Sequence, residues 1–300
     1  MTTQAATPVR ANAADAAQPV GDPGAIWRRR LAYAFLIGYA LLMFVPFSWS
    51  IITSFKTLPD SVRLTVIPQP FTLAAWEFAF TQLEPSLPRL FLNSAIIAIV
   101  VTISNLVLGS MAGYAFARLR FRGRDVLFLV VLATLMIPDQ LRLVPVYLML
   151  NAAGLTKGVL QYGGVILILA VSGTSIFLMR QYFLSIPREI EEAARMDGAG
   201  FFTTFWRIML PLAGPAVAAV AILTFQGSWN GYFWPLIILQ QPDQYTLPIG
   251  LSFFRSAGGF TTIWPPLMAT VVMATIPILV LYLFFQRYFV EGVAASGVKG

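Results

Sequence analysis

Six stretches of the chain are apolar over the length that a helix needs to cross a bilayer: about Leu31 to Ile52, Leu90 to Ala115, Val126 to Leu148, Gly163 to Phe183, Leu212 to Leu239, and Pro266 to Phe285. Inside lipid no water satisfies backbone N–H and C=O groups, so a spanning segment must be a helix or a strand of a closed barrel. Barrel strands alternate apolar with polar over about ten residues, and these runs do not. The expected fold class is all-α: a polytopic membrane protein of six transmembrane helices. Composition points the same way, because 58% of the 300 residues are hydrophobic and 11% charged, more apolar surface than one soluble core can hide.

Lys and Arg give the orientation. With both termini cytoplasmic, the inner segments hold Arg10, Arg28, Arg29, Arg30, Arg118, Arg120, Arg122, Arg124, Arg180, Arg188, Arg195, Arg207, Arg287 and Lys299, which are 14 of the 20 basic residues. The net charge of +7 is then a topology signal, and nucleic acid is not an expected partner. Cys and His are both absent. Disulfides, thiolate chemistry, a His general base and a His metal site are thereby excluded, and no metal site is expected. Residues 1–25 are rich in Ala, Pro and Gly and are expected to be a disordered tail rather than a signal peptide; residues 26–300 are expected to form one transmembrane domain.

The polar gap at about 184–211 constrains function most. Ser185 is placed to cap a helix with Pro187 in its first turn, and Glu189, Glu191 and Glu192 lie near its positive end. Ala193 and Ala194 let a partner approach the backbone closely, while Glu192 offers a carboxylate to an Arg or Lys. Gly198 permits a sharp turn into a second short helix from about Phe201 to Leu210, punctuated by Pro211 and Pro215. An amphipathic hairpin packed on its own membrane domain would show much of the same pattern.

Elsewhere, Pro138 breaks the third run and leaves Asp139, Gln140 and Arg142 at the outer mouth, facing solvent or a solute-delivering partner. Gly109 and Gly113 form a small-xxx-small pattern suited to close helix packing. Arg118 to Arg124 suit anchoring at the inner interface, or contact with anionic headgroups of membrane lipid. Amides at membrane depth need a reason. Asn93, Gln226 and Asn230, with Trp229 beside the last, are candidates to line a translocation pathway by hydrogen bonding and ring stacking; interhelical hydrogen bonds would give them a structural role instead.

The run Glu192-Ala193-Ala194-Arg195-Met196-Asp197-Gly198, then nine residues, then Ile208-Met209-Leu210-Pro211, resembles the cytoplasmic loop by which membrane subunits of ATP-driven importers dock on their ATPase. Asn93-Ser94, Gly113 to Arg118, Trp229-Asn230 and the tail from Phe284 to Gly300 extend the resemblance to the carbohydrate branch, the maltose-permease type. The resemblance implies a type I ABC importer permease fold in the bacterial inner membrane. It implies docking through Glu192, Ala193, Ala194, Asp197, Gly198, Ile208, Leu210 and Pro211. The implied partners are a second permease subunit, an ABC ATPase dimer, an extracytoplasmic solute-binding protein and a sugar-like substrate. It also implies contact of the C-terminal tail with the ATPase, and of the outer loop from Leu251 to Gly259 with the binding protein.

No Gly-x-x-x-x-Gly-Lys-Ser/Thr occurs, and the lysines are Lys56, Lys157 and Lys299, so ATP is expected to be bound and hydrolysed by the partner, with no cofactor held here. An ion-coupled secondary transporter is the rival class, but it would need acids deep in the membrane. An importer subunit for a non-sugar solute, such as glycerol phosphate, amino acids or phosphate, shares the docking loop.

Overall fold

The computed structural model describes residues 23–254 and 262–297, with side chains over 26–254 and 262–286. Residues 1–22, the part of the expected outer loop from 255 to 259, and the side chains of residues 23–25 and of the C-terminal tail lie outside these. The chain divides into two compact units at Trp49.

The first unit is dominated by α1 (Pro23–Thr53), apolar throughout, with Pro46 inside it. The second begins at Ser50. The loop that follows α1 is folded by two buried charges. The Lys56 ammonium donates to the carbonyls of Arg63 and Thr65, and the Asp60 carboxylate accepts from the Thr65 hydroxyl (3.1 Å) and the Gln69 amide (3.2 Å). A buried charge needs such partners, so a proline-broken segment keeps a defined path.

The helices follow as α2 (Leu87–Arg118), α3 (Arg124–Leu135), α4 (Asp139–Ala152), α5 (Leu160–Leu169), α6 (Gly173–Ser185), α7 (Arg188–Met196), α8 (Phe201–Leu212), α9 (Gly214–Trp229), α10 (Phe233–Ile238), α11 (Leu247–Phe253) and α12 (Trp264–Gly297). No strand occurs among the described residues. Three helices, α1, α2 and α12, are long and apolar enough to cross a membrane unaided; the number is up to six if each bent pair forms one span.

The bends are where structure departs from the apolar runs. Pro138 does more than interrupt the third run: α3 and α4 meet at 106°, so α4 turns away instead of continuing α3. The fourth run kinks by 43° between Leu169 and Gly173. Asn105 of α2 holds this kink: its Nδ2 donates to the Leu169 carbonyl (2.7 Å), and its Oδ1 accepts from the Ser172 amide (2.9 Å) and the Ser175 hydroxyl (2.9 Å). A break in lipid survives only where something replaces the lost backbone bonds. The fifth run is not one helix either. Leu212 belongs to α8, which meets α9 at 80°, and the helix stops again at Asn230-Gly231 before α10.

α2 and α6 are in close contact. A β-carbon on Gly109 would lie 2.9 Å from Ser175 Cβ, and one on Gly113 would lie 2.7 Å from Met179 Cβ. The small-xxx-small pattern is therefore a packing seam, as its spacing predicts.

Candidate functional site

The loop between α6 and α9 is built from local chain chemistry. α6 ends at Ser185, and the extended pair Ile186-Pro187 leads into α7. Ser185 does not cap α7 as its sequence position suggests; its hydroxyl donates back to the Tyr182 carbonyl (2.7 Å), because it is still the last residue of α6. Pro187 takes the cap position, and Glu189 and Glu191 fall in the first turn, where the helix dipole favours acids. Gly198 ends the helix with φ +83°. The Ala199 amide reaches back to the Ala194 carbonyl (2.9 Å) and the Gly198 amide to that of Arg195 (3.0 Å), a Schellman closure that favours glycine at this position.

α7 is sharply amphipathic. Glu191 and Ala194 are buried and Ile190 is partly so, while Glu192, Ala193, Met196, Asp197 and Gly198 are exposed. α8 returns with Thr204, Phe205 and Met209 inward. The Phe205 ring sits 5.2 Å from Tyr114 of α2, which in turn meets Phe183 of α6 at 5.5 Å, so an aromatic cluster joins α8 to both spans. Of the eight residues expected to dock a partner, Glu192, Ala193, Asp197, Gly198 and Pro211 are exposed. Ala194 is buried in the chain's own structure, and Ile208 and Leu210 are half-buried.

Two features of the loop escape sequence reading. Met196 is 88% exposed and Phe202 72%, with Phe201 and Trp206 also outward, an apolar surface on a charged loop. Inward, Glu191 meets Arg118 of α2, with Nε to Oε1 at 3.6 Å and side chains 3% and 8% exposed. Tyr114, Arg118, Glu191, Arg195, Phe201 and Phe205 help to line a cavity of about 840 Å³ between the end of α2 and the loop.

Of the four residues proposed for a pathway, Asn93 and Trp229 are buried, and Gln226 and Asn230, one helical turn apart, are exposed. Asn93 is buried and fully used: Nδ2 donates to the carbonyls of Asp243 and Tyr245 (both 2.9 Å), and Oδ1 accepts from the Tyr162 hydroxyl (2.8 Å). Trp229 is buried with its indole N–H on the Ala274 carbonyl (3.0 Å) and its ring stacked on Phe225. A different hollow, about 320 Å³, opens beside the α5–α6 kink; its lining is mainly apolar, with Val101, Leu178 and Leu223, and carries the hydroxyls of Thr174, Thr224 and Ser228. Scattered hydroxyls at helical spacing gave no sign of it in the sequence; the kink assembles them.

Comparison with known proteins fits this architecture. The arabinooligosaccharides transport system permease protein AraQ of Halalkalibacterium halodurans is 39% identical over 276 residues, covering 90% of this chain and 97% of that protein. The sn-glycerol-3-phosphate transport system permease protein UgpE of Yersinia pestis is 32% identical over 269 residues, 87% and 94% of the two chains. Among solved structures, a chain of a bacterial ABC transporter involved in the import of the acidic polysaccharide alginate superposes with a TM-score of 0.77 at 25% identity, covering 91% of this chain and all of that one. The family model of the binding-protein-dependent transport system inner membrane component matches residues 105–294. A helical membrane protein that matches this model over nearly two thirds of its length belongs to that family: the chain is an inner membrane component of a binding-protein-dependent transport system.

Proposed function

We propose that this chain is one of two permease subunits of an ATP-binding-cassette importer that carries a sugar-like, hydroxyl-rich solute into the cell. A solute-binding protein delivers the solute from outside, and a separate ATPase dimer supplies the work. The observation that carries the reading is the exposed face of α7 and its turn. Glu192 offers a carboxylate for an ion pair, Ala193 lets a partner close in, and Met196, Phe201 and Phe202 supply apolar area that needs a cover.

In this reading the loop faces the cytoplasm, together with both termini, as the clustering of Arg118 to Arg124 with Arg188, Arg195 and Arg207 supports. The chain is itself no enzyme and holds no cofactor. ATP binding closes the ATPase pair, the seated loop moves with it, and the spans rock to open the central cavity outward; hydrolysis resets them. Similarity to AraQ favours an oligosaccharide. Similarity to UgpE favours glycerol 3-phosphate as the second reading.

The test is uptake by proteoliposomes holding the complete importer and its binding protein, offered radiolabelled arabinose oligosaccharides and glycerol 3-phosphate. ATP-dependent accumulation of one of them is expected. Accumulation by this chain alone, driven by a proton or sodium gradient, would overturn the reading. Glu192→Lys is expected to cut uptake at least tenfold while the protein still inserts.

A further inference from the structure

α7 is joined to α6 through two residues, Ile186 and Pro187, both in extended conformation. A two-residue joint between helices bends easily, and movement imposed on α7 would be lost there unless the angle were held. Arg118 holds it. On the α6 side its Nη2 donates to the carbonyls of Phe183 (2.6 Å) and Ile186, which are among the acceptors that a helix C-terminus leaves open. On the α7 side its Nε faces the Glu191 carboxylate at 3.6 Å. One guanidinium from α2 therefore bridges both sides of the joint.

Its surroundings set this arginine apart from its neighbours. Arg120 and Arg122 are exposed, as residues that anchor at a lipid interface should be, whereas the Arg118 side chain is 3% exposed. A planar fork of donors suits two carbonyls and a carboxylate at once; a lysine ammonium carries the same charge without that geometry. α2 is itself fixed to α6 by the contact of Gly113 with Met179 one turn before Arg118, so the brace has a firm base.

We propose that Arg118 and Glu191 form a positioning pair that locks the angle between α6 and α7, so that displacement of the loop reaches the spans. The proposal rests on the reading of the loop as the ATPase seat. Both side chains are buried within this chain, and the pair acts through α7.

The experiment uses the complete importer purified with its ATPase and reconstituted with binding protein, with an arabinose trisaccharide as the probe solute. Two quantities are read for Arg118→Lys and Glu191→Gln: ATPase retained by the purified complex, and the stimulation of ATP hydrolysis by loaded binding protein. Retention at the wild-type ratio with stimulation reduced about tenfold is the expected result. Wild-type stimulation in both variants overturns the proposal. So does loss of the ATPase or failure of both variants to insert, which would assign the pair to docking or folding. Glu192→Lys, run in parallel, reports on the underlying reading: full retention and normal stimulation there reject the loop as the seat, whatever Arg118 does.

Discussion

Gly113 lies against Met179 with no room for a side chain between them: a β-carbon at 113 would meet Met179 Cβ at 2.7 Å and the Arg180 backbone nitrogen at 2.9 Å. Because part of that obstacle is backbone, a rotamer change cannot relieve it. Gly113→Ala is expected to destabilise the protein by about 1–3 kcal/mol, the usual range for overpacking, and Gly113→Leu by more. Unfolding midpoints in mild detergent titrated with dodecyl sulfate measure this. Gly227→Ala is the control; nothing lies within 4 Å of a β-carbon there, and the helix gains the better helix former, so stability should hold or rise.

Asn105 predicts a second loss. Its amide also donates to the Val101 carbonyl (3.0 Å), in addition to its bonds across the α5–α6 kink. Asn105→Leu keeps the volume but strands the Leu169 carbonyl and the Ser172 amide. Interhelical hydrogen bonds in membranes average well under 2 kcal/mol each, so a total of about 2–3 kcal/mol is expected. Faster hydrogen exchange at residues 169–175 in Asn105→Leu would locate the damage; unchanged exchange would show that the kink stands without Asn105.

Gly198 separates conformation from crowding. Its φ of +83° strains an L residue, yet open space surrounds it, so the cost of substitution is conformational alone. Gly198→Ala should weaken the turn by about 1 kcal/mol, and Gly198→Asn by less, since Asn tolerates the left-handed region. Limited proteolysis between Met196 and Phe201 should rank the three as Ala fastest, then Asn, then wild type. Equal rates for Ala and wild type would mean that the Schellman closure does not govern the loop.

Local chemistry was readable wherever the chain itself supplies the cause. The apolar runs, the break at Pro138, the turn at Gly198 and the close seam at Gly109 and Gly113 each follow from residues at that position. Effects that arrive from elsewhere in the chain were hidden. Ser172 and Gly173 stand at the α5–α6 kink, but the residue that ties its two sides together, Asn105, stands more than sixty positions away. The same is true of the glutamates: the helical face shared with Ile190 and Ala194 turns Glu191 inward and Glu192 outward, but the partner of the buried one, Arg118, comes from a distant helix. Asn93 and Trp229 show the converse. A polar group in an apolar run signals a partner, but its identity, here the carbonyls of Asp243, Tyr245 and Ala274, depends on the tertiary path.

The glycine seam also bears on how far a small movement travels. Two backbones in direct contact cannot slide or roll independently, so α2 and α6 tilt as one beam. α2 has 32 residues, a length of about 48 Å at 1.5 Å per residue. Each degree of tilt imposed at the Arg118 end would swing the Leu87 end by about 0.8 Å, a leverage that a softer contact would dissipate before it crossed the bilayer.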